Sequence, residues 1–399
     1  MYNTRLDGLT EYPFQRLAAL LEGIDPPAGT APLIMSIGEP QHTPPQLLHD
    51  ALAKGSGDWG KYPPTPGNPE YRQAVAAWCT RRYGLPDRFV DAERNVLPVA
   101  GSREGLFMAA QLCVPPEKNG QQPTVLIPNP FYQVYFGAAV MAGAEPVFVP
   151  ATVETGFQPD YATVAKDALA RAAMAYLCTP ANPQGTVASL ERLKSTITLA
   201  RTHDFVLISD ECYSEIYDGA APAGALEACA ALGGDLKNVL VFNSLSKRSS
   251  VPGLRAGSVV GDADLIAKFS KLRAHGGAVQ PVPVLNAAAA LWRDEIHVEE
   301  NRTLYRAKFD DAAKVFGNRF GFYRPGGGFF LWLDVGDGEK AAKALWREAG
   351  IKVLPGGYLA RPDATGRNPG ASYIRVALVH DRARTADALV RMKDVLERL

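Results

Sequence analysis

The feature that most constrains this chain is a series of short apolar runs, each followed by a polar turn and a longer helical pattern. The runs lie at 95–99, 124–127, 146–149, 175–178, 205–209, 239–242 and 257–260. Segments such as VLIP, VLIS and VLVF lack the polar alternation of a half-exposed strand. Strands covered by helices on both faces read this way. Strands alternating with helices predict βαβ units and a mostly parallel sheet, an α/β fold.

The texture changes after Gly261. A charged helical region is expected over 262–317, broken near His275–Pro283 by glycine and proline. The segments GFYRPGGGFFLWLDV, a helix near 339–349, IKVLPGGYLA and SYIRVALV then read as a smaller α+β domain. A chain of 399 residues is too long for one simple core. The expected division is an N-terminal arm joining the small domain over 1–45, a large domain over 46–280 and a small domain over 281–399. One short helix is expected in the arm, over 14–21.

Composition narrows the function classes. The 42 basic and 42 acidic side chains cancel, so bulk charge gives no support to nucleic acid or an anionic membrane as partner. No stretch has the roughly 18 consecutive apolar residues of a membrane span, and the acidic, proline-containing first residues do not read as a signal peptide. The five cysteines are scattered and form no CxxC pair. They therefore predict buried thiols, no metal site and a reducing, cytoplasmic setting.

Six motifs carry chemistry. The most informative is Ser244-Leu-Ser246-Lys247, followed eight residues later by Arg255. The strand VLVF delivers Lys247 just past its C-terminal end, where open α/β sheets bind ligands. An amine in a dry pocket can condense with an aldehyde. The hydroxyls of Ser244 and Ser246 and the Arg255 guanidinium suit a phosphate. Asp210, at the end of VLIS, is followed three residues on by Tyr213. A carboxylate there would keep a pyridine nitrogen protonated; taken alone, it equally serves as a helix cap. Asn182, in Asn-Pro-Gln-Gly, sits in a rigid turn able to aim its amide at a ligand or simply to turn the chain. Gly101-Ser102-Arg103 opens a helix whose first amides suit phosphate, although it is neither GxGxxG nor a Walker motif. Tyr132 follows another strand and could stack on a flat ring or fill a core. Arg375 lies within an apolar strand, where it needs an acid or a ligand as partner.

Together these motifs resemble the class I/II aminotransferases, and the resemblance spans Gly101 to Arg375 in the family's order. It implies fold type I, with a mostly parallel seven-stranded sheet flanked by helices plus a smaller α+β domain, and pyridoxal 5′-phosphate as cofactor. It implies Lys247 as Schiff-base lysine and proton shuttle, and Asp210 at the pyridine nitrogen. Tyr213 and Asn182 would bond the ring oxygen and Tyr132 would stack on the ring. Gly101, Ser102, Arg103, Ser244, Ser246 and Arg255 would hold the phosphate, and Arg375 the substrate carboxylate. Gly38 resembles the glycine lining the substrate side. Tyr62 resembles a tyrosine reaching the phosphate of a neighbouring subunit, which implies a homodimer with shared sites. Arg103 departs from the smaller residue of many relatives, which leaves its contact with phosphate open.

The segments at 3–17 and 37–45, and GKYPPTPGNPEYRQAVAAW, are most similar to the succinyldiaminopimelate aminotransferases of bacterial lysine biosynthesis. That similarity implies ping-pong exchange between succinyldiaminopimelate and 2-oxoglutarate. It also places Arg5 or Arg16 of the arm at a distal carboxylate. Transamination of aspartate, aromatic amino acids or N-acetylornithine, and carbon–sulfur lyase chemistry, remain alternatives, because motifs around Lys247 are common to all of them.

Overall fold

The computed structural model describes residues 1–399. In chain order its strands are β1 (Leu33–Ile34), β2 (Val96–Val99), β3 (Thr124–Asn129), β4 (Glu145–Pro150), β5 (Ala172–Cys178), β6 (Val206–Asp210), β7 (Val239–Ser244), β8 (Gly257–Gly261), β9 (Phe330–Asp334), β10 (Ile351–Lys352), β11 (Leu354–Pro355) and β12 (Tyr373–Ala377). All seven expected runs became strands, and they form one seven-stranded sheet in the order β2-β8-β7-β6-β5-β3-β4. Only β8 runs against its neighbours, β2 and β7. The C-terminal ends of β2 through β7 therefore share one edge.

The alternation along these strands shows why their sequences are apolar throughout. Leu97, Val125, Met174, Ile208 and Leu240 enter one core, shared with the helices Ser102–Cys113, Gln133–Ala142 and Ala263–Gly276. Val96, Leu126, Leu177, Leu207 and Val239 enter a second core on the opposite face. There they meet the helices Pro69–Tyr83, Leu190–Thr202 and Val282–Arg293. Each such side chain contributes about 1.5–3 kcal/mol on burial, which favours apolar residues on both faces. This second core runs on past residue 280, to Leu291 and Trp292.

A third core lies apart from the main sheet. The antiparallel sheet β11-β12-β9 packs on the helices Ile296–Phe316, Gly338–Ala349 and Arg382–Leu396. Leu33 and Met35 join this core, and β1 pairs in parallel with β10. The expected helical stretch after Gly261 is three helices, with a second break at Asp294–Glu295. No helix is long and apolar enough to cross a membrane.

Candidate active site

A cavity of about 160 Å³ opens at the C-terminal edge of the main sheet. Nine expected site residues line it: Gly38, Ser102, Arg103, Tyr132, Asn182, Asp210, Tyr213, Lys247 and Arg375. They arrive from strand ends. Asp210 closes β6, Lys247 lies in the turn after β7, Asn182 and Tyr132 follow β5 and β3, and Arg375 sits within β12.

Lys247 directs its Nζ at the carbonyl oxygen of Gly38, to which it donates a hydrogen bond. The amine also lies 5.3 Å from the Phe329 ring centre and 5.9 Å from that of Tyr213. Burial lowers its pKa to about 8; Arg375 and Arg103 push the same way, while Cys212 and Glu39 oppose them. An ordinary lysine is protonated up to about pH 10.4. In the cofactor-free chain, modification of Lys247 by an amine-selective reagent is therefore expected to have its midpoint near pH 8. Peptide mapping across a pH series checks this, and a midpoint like that of the surface lysines contradicts it.

The Asp210 carboxyl is 3% exposed. Its Oδ1 accepts the Cys212 N–H at 3.3 Å, and its Oδ2 accepts the Tyr135 hydroxyl at 2.6 Å. Burial nevertheless raises its pKa, against these two bonds and the charge of Lys247. Such a carboxylate is set up to receive a cationic N–H. Tyr213 is 7% exposed and sits edge-on to Phe329 and Phe330.

Arg375 is 5% exposed and has no acidic partner. It donates to Asn182 Oδ1 at 2.8 Å and to the Ser36 carbonyl at 2.7 Å, with its Cζ 4.3 Å from the Phe330 ring centre. Its Nε has no hydrogen-bond partner, and burial lowers its pKa to about 10. A charged guanidinium held by neutral oxygens, with a free N–H, can take a carboxylate. The internal salt bridge that the sequence left open is absent.

Ser102 begins the helix Ser102–Cys113, whose first amides have no partner within the helix. Gly101 precedes it at φ +82°, where a Cβ would fall 2.1 Å from the Arg255 guanidinium. Only glycine permits that approach. Arg255 donates to the carbonyls of Pro252 at 2.9 Å and Ala100 at 3.1 Å. Ser244 Oγ caps the turn that carries Lys247 by accepting the Ser246 N–H at 3.1 Å. Gly101, Arg255, Ser244 and Ser246 thus flank the cavity without lining it. Arg103 stands at the rim and donates to the Tyr132 hydroxyl at 2.7 Å.

Three expected residues lie elsewhere. Tyr62 is fully exposed, away from the cavity. Arg16 stacks on the Tyr358 ring at 3.8 Å, and Arg5 donates to the Met141 carbonyl at 3.3 Å. Neither arginine lines the cavity. The arm lends Tyr12, Pro13 and Phe14 instead. Sequence reasoning also missed Tyr135, Cys212 and Phe330. Tyr135 alone had a signal, one helical turn beyond Tyr132.

The family model for aminotransferase class I and II matches residues 32–391. An aminotransferase from Neisseria meningitidis superposes with a TM-score of 0.93 at 42% identity, covering 98% of this chain and 99% of that one. The 4-dedimethylamino-4-oxo-anhydrotetracycline transaminase OxyQ of Streptomyces rimosus is 33% identical over 90% of this chain and 92% of its own length. The LL-diaminopimelate aminotransferase of Moorella thermoacetica is 32% identical over 91% of this chain and 90% of its own.

Proposed function

The chain belongs to the class I and II aminotransferases, and we propose that it exchanges the amino group of a tricarboxylic amino acid, N-succinyl-LL-2,6-diaminopimelate, with 2-oxoglutarate. Pyridoxal 5′-phosphate is the cofactor of this family, and the cavity suits it. A buried Asp210 without a cation suits the pyridine nitrogen, and the glycine-constrained helix start beside Arg255 suits the phosphate. When bound, the cofactor supplies an aldehyde to carry the amino group and a ring that accepts electrons.

In this reading the chain's residues divide the work. Asp210 stabilises a protonated pyridine nitrogen. Tyr213 and Asn182 orient the ring oxygen, and Tyr132 covers the ring face. Gly101, Ser102, Ser244, Ser246 and Arg255 surround the phosphate. Arg375 grips the substrate α-carboxylate, which brings Cα towards Lys247. The low pKa of Lys247 leaves much of its Nζ neutral near pH 8, so it can take the substrate Cα proton and hold it for return. Tyr62 is fully exposed, which in this reading frees it to reach the phosphate of a second subunit in a homodimer. Five free thiols, four of them buried, support a cytoplasmic setting.

The observation that carries the substrate reading is a pair of cations facing one cavity, Arg375 within and Arg103 at the rim. A substrate with an acid at its far end would satisfy both. Relatives named for LL-diaminopimelate support the same chemical frame. Donors assayed with 2-oxoglutarate should therefore rank succinyldiaminopimelate above LL-diaminopimelate, N-acetylornithine, aspartate and aromatic amino acids. An aromatic donor at the top, or pyruvate release from a cysteine conjugate, counts against the reading. Arg103→Met should raise KM for the succinylated donor about 10- to 100-fold, the loss of one charge-assisted contact. It should leave a donor without a distal acid within about twofold. Equal losses for both donors would place Arg103 at the phosphate.

A further inference from the structure

Lys308 is 1% exposed, yet no carboxylate pairs with it. Its Nζ lies 2.7 Å from His42 Nε2 and donates to the Leu378 carbonyl at 2.9 Å. His42 Nδ1 lies 2.6 Å from Asn301 Oδ1. Asn301 Nδ2 in turn donates to the backbone carbonyls of Lys247 at 3.1 Å and Arg248 at 3.4 Å. A lysine buried without a counter-ion is costly, and the reaction as described does not use it.

The direction of every bond in this chain is fixed. Asn301 faces two carbonyls, so its NH₂ must point at them and its oxygen must face His42. The Ser250 hydroxyl donates to that same oxygen at 3.1 Å. His42 must then carry its proton on Nδ1, which leaves Nε2 bare for Lys308 to donate to. The arrangement holds whether Lys308 is an ammonium or an amine, since either form has two protons to give. Burial lowers the Lys308 pKa to about 7, and only Asp381, acting at a distance, pulls it back.

Three parts of the site meet here. His42 lies on the segment that presents the Ser36 carbonyl to Arg375 and the Gly38 carbonyl to Lys247. Leu378 directly follows β12, which bears Arg375. Asn301 holds the turn of Lys247 itself. A ring stack backs the same contact: His42 lies 4.5 Å from Tyr305, Tyr305 lies 5.3 Å from Phe329, and Phe329 faces the Lys247 amine.

We propose that Lys308, His42 and Asn301 are positioning residues, a clamp that holds the 36–44 segment closed over Lys247 and in register with Arg375. The proposal rests on the reading of Lys247 and Arg375 given above. None of the three residues touches substrate or cofactor; they act through the backbone they hold.

The test uses the full chain with Lys308→Met, which keeps the bulk and removes the amine. His42→Phe serves beside it, keeping the ring against Tyr305 and removing both hydrogen bonds. In either variant the loosened segment admits water to Lys247. The midpoint of Lys247 modification in the cofactor-free chain should then rise by about one pH unit above its wild-type value. KM for the amino donor should rise about tenfold while kcat changes less than about threefold, because the segment aligns Arg375 more than it takes part in proton transfer. His42→Gln, which retains a donor and an acceptor, should restore most of both. A folded variant whose melting temperature falls while midpoint and KM stay at wild-type values would overturn the clamp. A wild-type midpoint near 10.5, the ordinary lysine value, would overturn the reading of Lys247 and the clamp with it.

Discussion

Lys247→Ala should lower the turnover of transamination by about four orders of magnitude, with the folded chain intact. Lys247 is the only lysine lining the cavity, so no other amine can stand in for it. Cys212 lies nearby, but burial and the neighbouring Asp210 push its thiol pKa far up, which leaves it too weak an acid to serve as the base. The loss should fall on kcat, because in the proposed reaction the amine acts on the Cα proton and contributes little to substrate affinity. Stability should not suffer. The folded pKa lies below the ordinary lysine value, so the protonated amine is disfavoured in the native state below about pH 8. Removing it costs one hydrogen bond to Gly38. Circular dichroism and a melting curve at pH 7 check the fold, and single-turnover kinetics check the rate. A variant that retains a tenth of the wild-type turnover would require a different base.

Arg375→Ala should reduce kcat/KM by about 10²- to 10⁴-fold for every α-amino acid donor alike, the effect of truncating one partner of a buried charge pair. The uniformity matters, since every donor brings an α-carboxylate and only some bring a distal acid. Arg103→Met is expected to sort donors; Arg375→Ala is not. The substitution also strips a donor from Asn182 Oδ1 and from the Ser36 carbonyl, so some misalignment adds to the loss. Arg375→Lys separates the two effects. It keeps the charge but not the planar fork, and should recover only part of the activity. Steady-state kinetics on two donors measure this. Donor-selective loss in Arg375→Ala would move the α-carboxylate site elsewhere.

How legible all this was in the sequence depends on distance along the chain. The seven strands could be read because burial on both faces makes each a continuous apolar run, and the residues that line the cavity from the main sheet follow those runs directly. Asp210, Lys247, Asn182 and Tyr132 are local in that sense. The pairings outside the main sheet were not legible: β1, β10 and β11 are two residues each, too short for any period to show. The arm was hard to read for a related reason. Arg5 sits in a single 3-10 turn, Thr4–Gly8, and Arg16 in a short helix, Pro13–Leu20, whose side-chain directions are decided by what the arm packs on, here the Met141 carbonyl and the Tyr358 ring. Tyr135 escaped because its hydroxyl meets Asp210 across 75 residues of sequence. The clamp of His42, Asn301 and Lys308 escaped for the same reason, with one partner near residue 40 and two near residue 305.

The central claim is that Lys247 is the residue that binds the cofactor and moves the proton. Borohydride reduction of the cofactor-loaded enzyme, followed by digestion and mass spectrometry, tests it most directly. The account predicts a pyridoxyl group on the peptide containing Lys247, and no such adduct on any peptide of Lys247→Ala. A pyridoxyl group on another lysine of the wild-type chain, or one that persists in the variant, would contradict it.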